Sequence, residues 1–264
     1  MAEMQNYNDS SQPQLWLDRG IDCIVTLICW GWFLFGFILF FSWRYLVAAL
    51  AAKDPELTFQ RLNSRFYQIF FRIVRVAAPR QRIEIDDKVA AIRSSVIVCN
   101  HLSYLDPLLL IALFPQQRTI VKTRFFTIPI FGWIITRAGY LPATGGGPFA
   151  KLMIRQMDTM PSYLRAGGNL FVFPEGTRSR DGKLGNLHKG AFKIARLCRA
   201  PLYVLDICNT DKLFTPGKFL FNTRRENSIS VKIIDCIEPD YQRNPATTAE
   251  LELRVRQAYC ERQK

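Results

Sequence analysis

A stretch of 21 residues without a single charge, Cys23 to Trp43 (CIVTLICWGWFLFGFILFFSW), constrains this chain more than any other feature. About 20 apolar residues, each rising ~1.5 Å along a helix, match the hydrocarbon thickness of a bilayer. The run therefore predicts a transmembrane helix. Trp16 and Trp43 lie near its ends, where a belt of interfacial aromatics belongs. Asp18, Arg19 and Asp22 close one side and Arg44 the other. A cleaved secretory leader is the first rival. It requires a basic leading region and an apolar core of roughly 7–15 residues, whereas here Glu3, Asp9 and Asp18 outweigh Arg19 and the core is longer. The second rival is a re-entrant hairpin broken near Gly31 or Gly36. Spanning and re-entrant forms both leave the protein on a membrane. Arg44, Lys53, Arg61, Arg65, Arg72 and Arg75 follow the run and only Arg19 precedes it. The positive-inside rule then places the following domain in the cytoplasm.

Residues 59–76 (FQRLNSRFYQIFFRIVRV) continue the membrane theme. Phe59, Leu62, Phe66, Ile69, Phe70, Ile73 and Val76 recur at helical spacing, and Arg61, Arg65, Arg72 and Arg75 gather on a second face. This pattern predicts a basic amphipathic helix lying in a headgroup layer. A surface helix packed on its own domain has the same signature. Charge agrees with an anionic partner: 35 Lys and Arg against 22 Asp and Glu give a formal net charge of +13. No nucleic-acid-binding motif accompanies that charge, so nucleic acid is not expected. Seven scattered cysteines with no C-x-x-C pair, and two histidines, predict neither a disulfide framework nor a zinc site. The aromatics around Trp30 are expected to face lipid or pack.

The remainder predicts an α/β domain. Strands are expected at Ser94–Cys99, Arg118–Val121, Asn169–Phe173, Leu202–Ile207 and Ile229–Ile234. Helices are expected at Leu105–Leu113, Pro129–Arg137, Pro148–Arg165 with an interruption at Pro161, Lys189–Cys198 and Thr247–Arg262. Such alternation gives a mixed sheet flanked by helices, with an N-terminal membrane-binding helical segment. The division is a membrane anchor with its basic helix over residues 1–80 and a catalytic domain over 81–264.

Two strand ends carry chemistry. After Ser94–Cys99 comes Asn100-His101-Leu102-Ser103-Tyr104-Leu105-Asp106. With Asp106 opening a helix, its carboxylate can fold back to the His101 ring, fix the tautomer and free the other nitrogen as a base. Ser103 is the competing nucleophile, but no G-x-S-x-G elbow exists in the chain. A helix-capping Asp106 beside a structural His101 is the plain alternative. After Asn169–Phe173 comes Phe173-Pro174-Glu175-Gly176-Thr177-Arg178-Ser179-Arg180, whose backbone donors and guanidinium forks suit a phosphate. Glu175 could orient an arginine or contact a hydroxyl. An ordinary solvated loop is the alternative here. His188, beside Lys189, is read as a loop residue.

Asn100–Asp106 followed by Phe173–Arg180, with Phe173 72 residues after His101 (173 − 101 = 72), resembles the glycerolipid acyltransferase family of the 1-acylglycerol-3-phosphate type. Lys122–Trp133, Lys189–Phe192 and Ala200–Leu202 look like its other blocks, so the resemblance covers roughly residues 80–215. It implies transfer of a fatty acyl group from the thioester of acyl-CoA or acyl carrier protein to a lysophospholipid hydroxyl. It implies no cofactor, no metal and no acyl-enzyme. It further implies His101 as general base and Asp106 as its orienter. Glu175, Gly176, Thr177 and Arg178 would belong to the acceptor and phosphate site, with Lys122 near phosphate or oxyanion. In this resemblance, Thr144 and Gly145 stand where relatives carry an Asp-Arg pair. Either Gly145–Gly147, aided by Lys151 and Arg155, presents backbone donors to the phosphate, or the acceptor lacks that phosphate, or the loop binds nothing. A non-catalytic lipid-binding protein and a lipid thioesterase are the rival functions.

Overall fold

The computed structural model describes residues 11–144, 146–178, 185–241, 243 and 246–262. Helix α1 (Ser11–Gly31) passes through a π-helical segment, Trp32–Phe41, into α2 (Ser42–Ala51) without reversing. The break considered near Gly31 or Gly36 does not occur. At Gly36 a β-carbon would lie 2.4 Å from the Trp32 ring, so glycine lets that indole lie against the widened helix. The chain turns instead at Asp54, whose carboxylate accepts from the Leu57 N–H at 2.9 Å, while Pro55 occupies a first-turn position that needs no donor. Helix α3 (Pro55–Ala77) then returns along the first helix.

The apolar side of α3 is covered by protein. Phe66 stacks on Trp32 at 5.2 Å, Phe70 meets Phe33 at 5.0 Å and Phe59 meets Tyr45 at 5.1 Å. The polar Gln60, Ser64 and Gln68 bind carbonyls of Ala138 and Ala112. The expected seating of this apolar face among headgroups is therefore replaced by packing, because those aromatic rings find apolar partners in their own chain. Arg61, Arg65, Arg72 and Arg75 remain exposed.

Beyond α3 come β1 (Gln81–Ile85), α4 (Asp87–Ala90), β2 (Val96–Cys99), α5 (Leu105–Leu113), β3 (Gln117–Val121), α6 (Phe131–Arg137), β4 (Leu141–Pro142), α7 (Ala150–Arg165), β5 (Asn169–Val172), α8 (Gly190–Cys198), β6 (Leu202–Cys208), α9 (Thr210–Leu213), β7 (Asn227–Ile237) and α10 (Thr248–Arg262). The seven strands described form one mixed sheet in the order β1-β7-β6-β2-β5-β3-β4. All neighbours are parallel except β6 and β7. Helices cover both faces, as the sequence predicts. In β2, Ile97 and Cys99 enter the core under α3 and α5, while Val96 and Val98 enter the core under α7, α8 and α10. A strand buried on both sides reads as a continuous apolar run, which is why VIVC shows no alternation. Pro161 lies inside α7 and does not end it. Helix α6 starts at Phe131 rather than Pro129, because Ile130 adopts a positive φ of 63°. The neighbouring central strands β2 and β5 carry the two motif-bearing loops at their carboxyl ends, where open α/β sheets place ligand sites.

Candidate active site

The loop after β2 is fixed before any catalytic group is considered. The Asn100 amide grips both backbone groups of Ile207 at the end of β6, donating to its carbonyl and accepting from its N–H, each at 2.8 Å. Ser103 is fully buried and its hydroxyl donates to the Phe214 carbonyl at 2.8 Å. A hydroxyl so enclosed is a structural pin and not a nucleophile.

Asp106, in the first turn of α5 and fully buried, collects four donors. Its Oδ2 accepts from His101 Nδ1 at 2.9 Å, the Leu102 N–H at 2.6 Å and the Ser103 N–H at 2.8 Å. Its Oδ1 accepts from the Thr210 hydroxyl at 2.5 Å. An oxygen already receiving two amide protons acts as acceptor toward the ring, so Nδ1 carries the hydrogen and Nε2 presents its lone pair. Among the described residues, Nε2 has no hydrogen-bond partner. The imidazole lies on the Phe173 ring, with centroids 4.3 Å apart and planes 26° from parallel. Beneath the loop, burial and the carboxylates of Asp106 and Glu175 hold the Cys99 thiol well above its usual pKa. It stays protonated and unreactive.

The loop after β5 faces this arrangement. Glu175 is buried and spends its carboxylate on backbone, accepting from the His101 N–H at 3.4 Å and the Gly185 N–H at 3.0 Å. It thus ties the two motifs together, and among the described residues it pairs with no arginine. Gly176 takes a positive φ of 65°, which a side chain resists. Thr177 is exposed, and the Arg178 guanidinium carbon sits 3.6 Å from the centre of the Tyr104 ring. Ser179, Arg180 and Gly145 lie outside the described residues. His188 is exposed and its N–H donates to the Pro174 carbonyl at 2.7 Å, as befits a loop residue.

Lys122 is exposed at the end of β3, and it makes no hydrogen bond or ion pair with the other predicted site residues. Its neighbour Thr123 meets Thr144 hydroxyl to hydroxyl at 2.7 Å, and the Ala143 N–H donates to the Val121 carbonyl at 2.8 Å. Pairing of β3 with β4 therefore brings Lys122 alongside the loop that enters the glycine run. Three contributors escaped the reading of the sequence: Thr210, the Phe173 ring as a platform, and Tyr104 under Arg178. Thr210 comes 104 residues after Asp106 (210 − 106 = 104), and no local pattern links them.

The loops after β2 and β5 thus bring a histidine held on a buried carboxylate and an arginine to one end of the sheet. Residues 80–207 match the acyltransferase family model. Among curated proteins the chain is 35% identical over 122 residues to the chloroplastic 1-acyl-sn-glycerol-3-phosphate acyltransferase BAT2 of Brassica napus, covering 46% of this chain and 35% of that protein. It is 28% identical over 222 residues to a 1-acyl-sn-glycerol-3-phosphate acyltransferase of Chlamydomonas reinhardtii, covering 81% of this chain and 63% of the relative. The chain thus spans between about a third and two thirds of the length of these relatives. The crystal structure of the 1-acyl-sn-glycerophosphate (LPA) acyltransferase PlsC from Thermotoga maritima shares the fold, with a TM-score of 0.66 at 20% identity over 91% of this chain and 94% of that one.

Proposed function

We propose that this protein transfers a fatty acyl group from an acyl-CoA or acyl carrier protein thioester to the free hydroxyl of a lysophospholipid, with 1-acylglycerol-3-phosphate as the acceptor to test first. The observation that carries this reading is His101 Nε2, which has no hydrogen-bond partner among the described residues, opposite an Nδ1 held 2.9 Å from the Asp106 carboxylate. The names of the relatives supply the acceptor class. Nε2 takes the acceptor's hydroxyl proton as that oxygen attacks the thioester carbonyl. The tetrahedral intermediate then collapses, the C–S bond breaks, and the imidazolium returns the proton to the departing thiolate. Asp106 orients the ring. Glu175 and Gly176 shape the facing loop, while Thr177, Arg178 and the more distant Lys122 receive the acceptor's phosphate.

Membrane association follows from one apolar helix, Trp16–Ala51, of which 28% of the most apolar window is buried. We infer a side-on seating for it. Asp22 accepts from the Thr223 N–H at 2.8 Å near one end of the apolar run, and Tyr45 donates to Asn63 at 2.6 Å beyond the other. Both ends thus hold to one domain, which supports the side-on seating. Leu34, Phe35, Ile38 and Leu39 face outward for lipid, and the cytoplasmic leaflet fits the flanking arginines.

The test is release of free thiol from acyl-CoA by purified protein. Release that depends on added lysophosphatidate supports transfer. Release without any lysolipid marks a thioesterase, and no release with any lysolipid marks a lipid-binding protein.

A further inference from the structure

We propose that Tyr104 is a positioning residue for the acceptor's phosphate: its ring is the platform that holds the Arg178 guanidinium beside the catalytic histidine. The inference rests on the reading of Arg178 as the phosphate fork. Arg178 has an unusual setting for an arginine at a strand end. It forms no ion pair among the described residues, and its Nη1 is shut off from solvent without an acceptor. What holds it is the face of Tyr104, 3.6 Å from its guanidinium carbon to the ring centre. A planar cation stacked on a ring keeps its edge donors in a fixed plane, ready for two oxygens of one phosphate.

Tyr104 is itself anchored. It lies between His101 and Asp106, and its neighbour Ser103 is bonded to both Asp106 and Phe214. The Tyr104 ring also lies 6.3 Å from that of Phe214. The ring is half exposed, and its hydroxyl has no hydrogen-bond partner among the described residues, so its face is the part in use. The stack therefore sets the offset between the base on one loop and the cation on the other, 77 residues apart (178 − 101 = 77). Among the described residues, no backbone hydrogen bond fixes the arginine head in that way.

The experiment measures KM for lysophosphatidate, KM for acyl-CoA and kcat in Tyr104→Leu, Tyr104→Phe, Arg178→Ala and the double variant Tyr104→Leu/Arg178→Ala. Tyr104→Leu should raise the lysophosphatidate KM about three- to thirtyfold, the span expected for a lost cation–π contact, with a smaller change in the acyl-CoA KM. Tyr104→Phe keeps the face and should restore the acceptor KM to within about twofold of wild type. The double variant should be no worse for the acceptor than Arg178→Ala alone, since the platform acts only through the arginine. Should Tyr104→Leu not accumulate as folded protein, Tyr104→Met takes its place. An Arg178→Ala variant with a raised acceptor KM beside a Tyr104→Leu variant with an unchanged one overturns the platform and leaves the phosphate reading standing. An unchanged acceptor KM in Arg178→Ala overturns both. Additive losses in the double variant also overturn the platform.

Discussion

The two loops at the carboxyl ends of β2 and β5 are built in opposite ways. In the first, the buried polar side chains are spent: Asn100 on Ile207, Ser103 on Phe214, and Asp106 on four donors. In the second, Thr177 is exposed, Gly176 has a left-handed backbone and an Arg178 nitrogen lacks an acceptor. The first loop holds one nitrogen still. The second leaves donors open for something that arrives from outside. A general base works only in a fixed geometry, whereas a phosphate site must keep its hydrogen-bonding capacity in reserve.

The sharpest break comes at the base. His101→Ala should lower kcat/KM by ~10²–10⁴-fold, the usual cost of a lost general base, with the fold retained in circular dichroism. Retention of more than about a tenth of the activity would remove His101 from the mechanism. Asp106→Asn should cost less, because the imidazole stays but loses its orienter. Thr210→Val comes next. It leaves Oδ1 of a buried carboxyl without its donor and should lower stability by roughly 1–3 kcal/mol in a denaturant melt; an unchanged melt would mean that water takes over the bond. On the other loop, Gly176→Val forces a β-branched residue to a φ of 65° and sets its Cβ about 3.1 Å from the His188 ring. The strain is about 1–3 kcal/mol. The acceptor KM should rise while kcat at saturating acceptor stays in place. A fall in that kcat would show that the loops are not independent.

The smallest effect concerns the anchor of the first loop. Burial raises the pKa of Asp206, beside the clamped Ile207, against the opposing pull of Cys208, Arg262 and Lys232. A carboxyl raised in the folded state contributes stability that is full below its unfolded pKa and lost as pH rises through the folded value. Asp206→Asn cannot ionise, so the fall in melting temperature on raising pH above the usual carboxylate range should be shallower in the variant. Identical slopes in the two proteins would mean that Asp206 titrates alike folded and unfolded.

Much of this was legible in the chain. Leu105–Leu113 is a helix at the bounds its pattern predicts, and the strands ending at Cys99 and Val172 lie where apolar runs meet polar motifs. Two strands were not legible, for physical reasons. β1 (QRIEI) alternates charges with isoleucines at a sheet edge, and β4 is two residues long, too short for any period. Among site residues, His101 and Asp106 are neighbours in sequence, so a helix start suffices to predict their meeting. Thr210 and Tyr104 act across distances that local spacing cannot express.

Hydrophobic length alone determined that residues 23–43 seek an apolar environment, and strand-end placement determined where chemistry gathers. Tertiary structure decided which apolar surface is satisfied by protein and which is left exposed. Residues such as Cys29, Phe41 and Tyr45 are buried against their own domain, while Leu34, Phe35 and Ile38 face outward. A charge-free run records only the sum of those two burdens. Their division depends on Asp22 and Tyr45 finding partners at Thr223 and Asn63, 201 and 18 residues away, and such pairings exist only once the sheet has brought distant segments together.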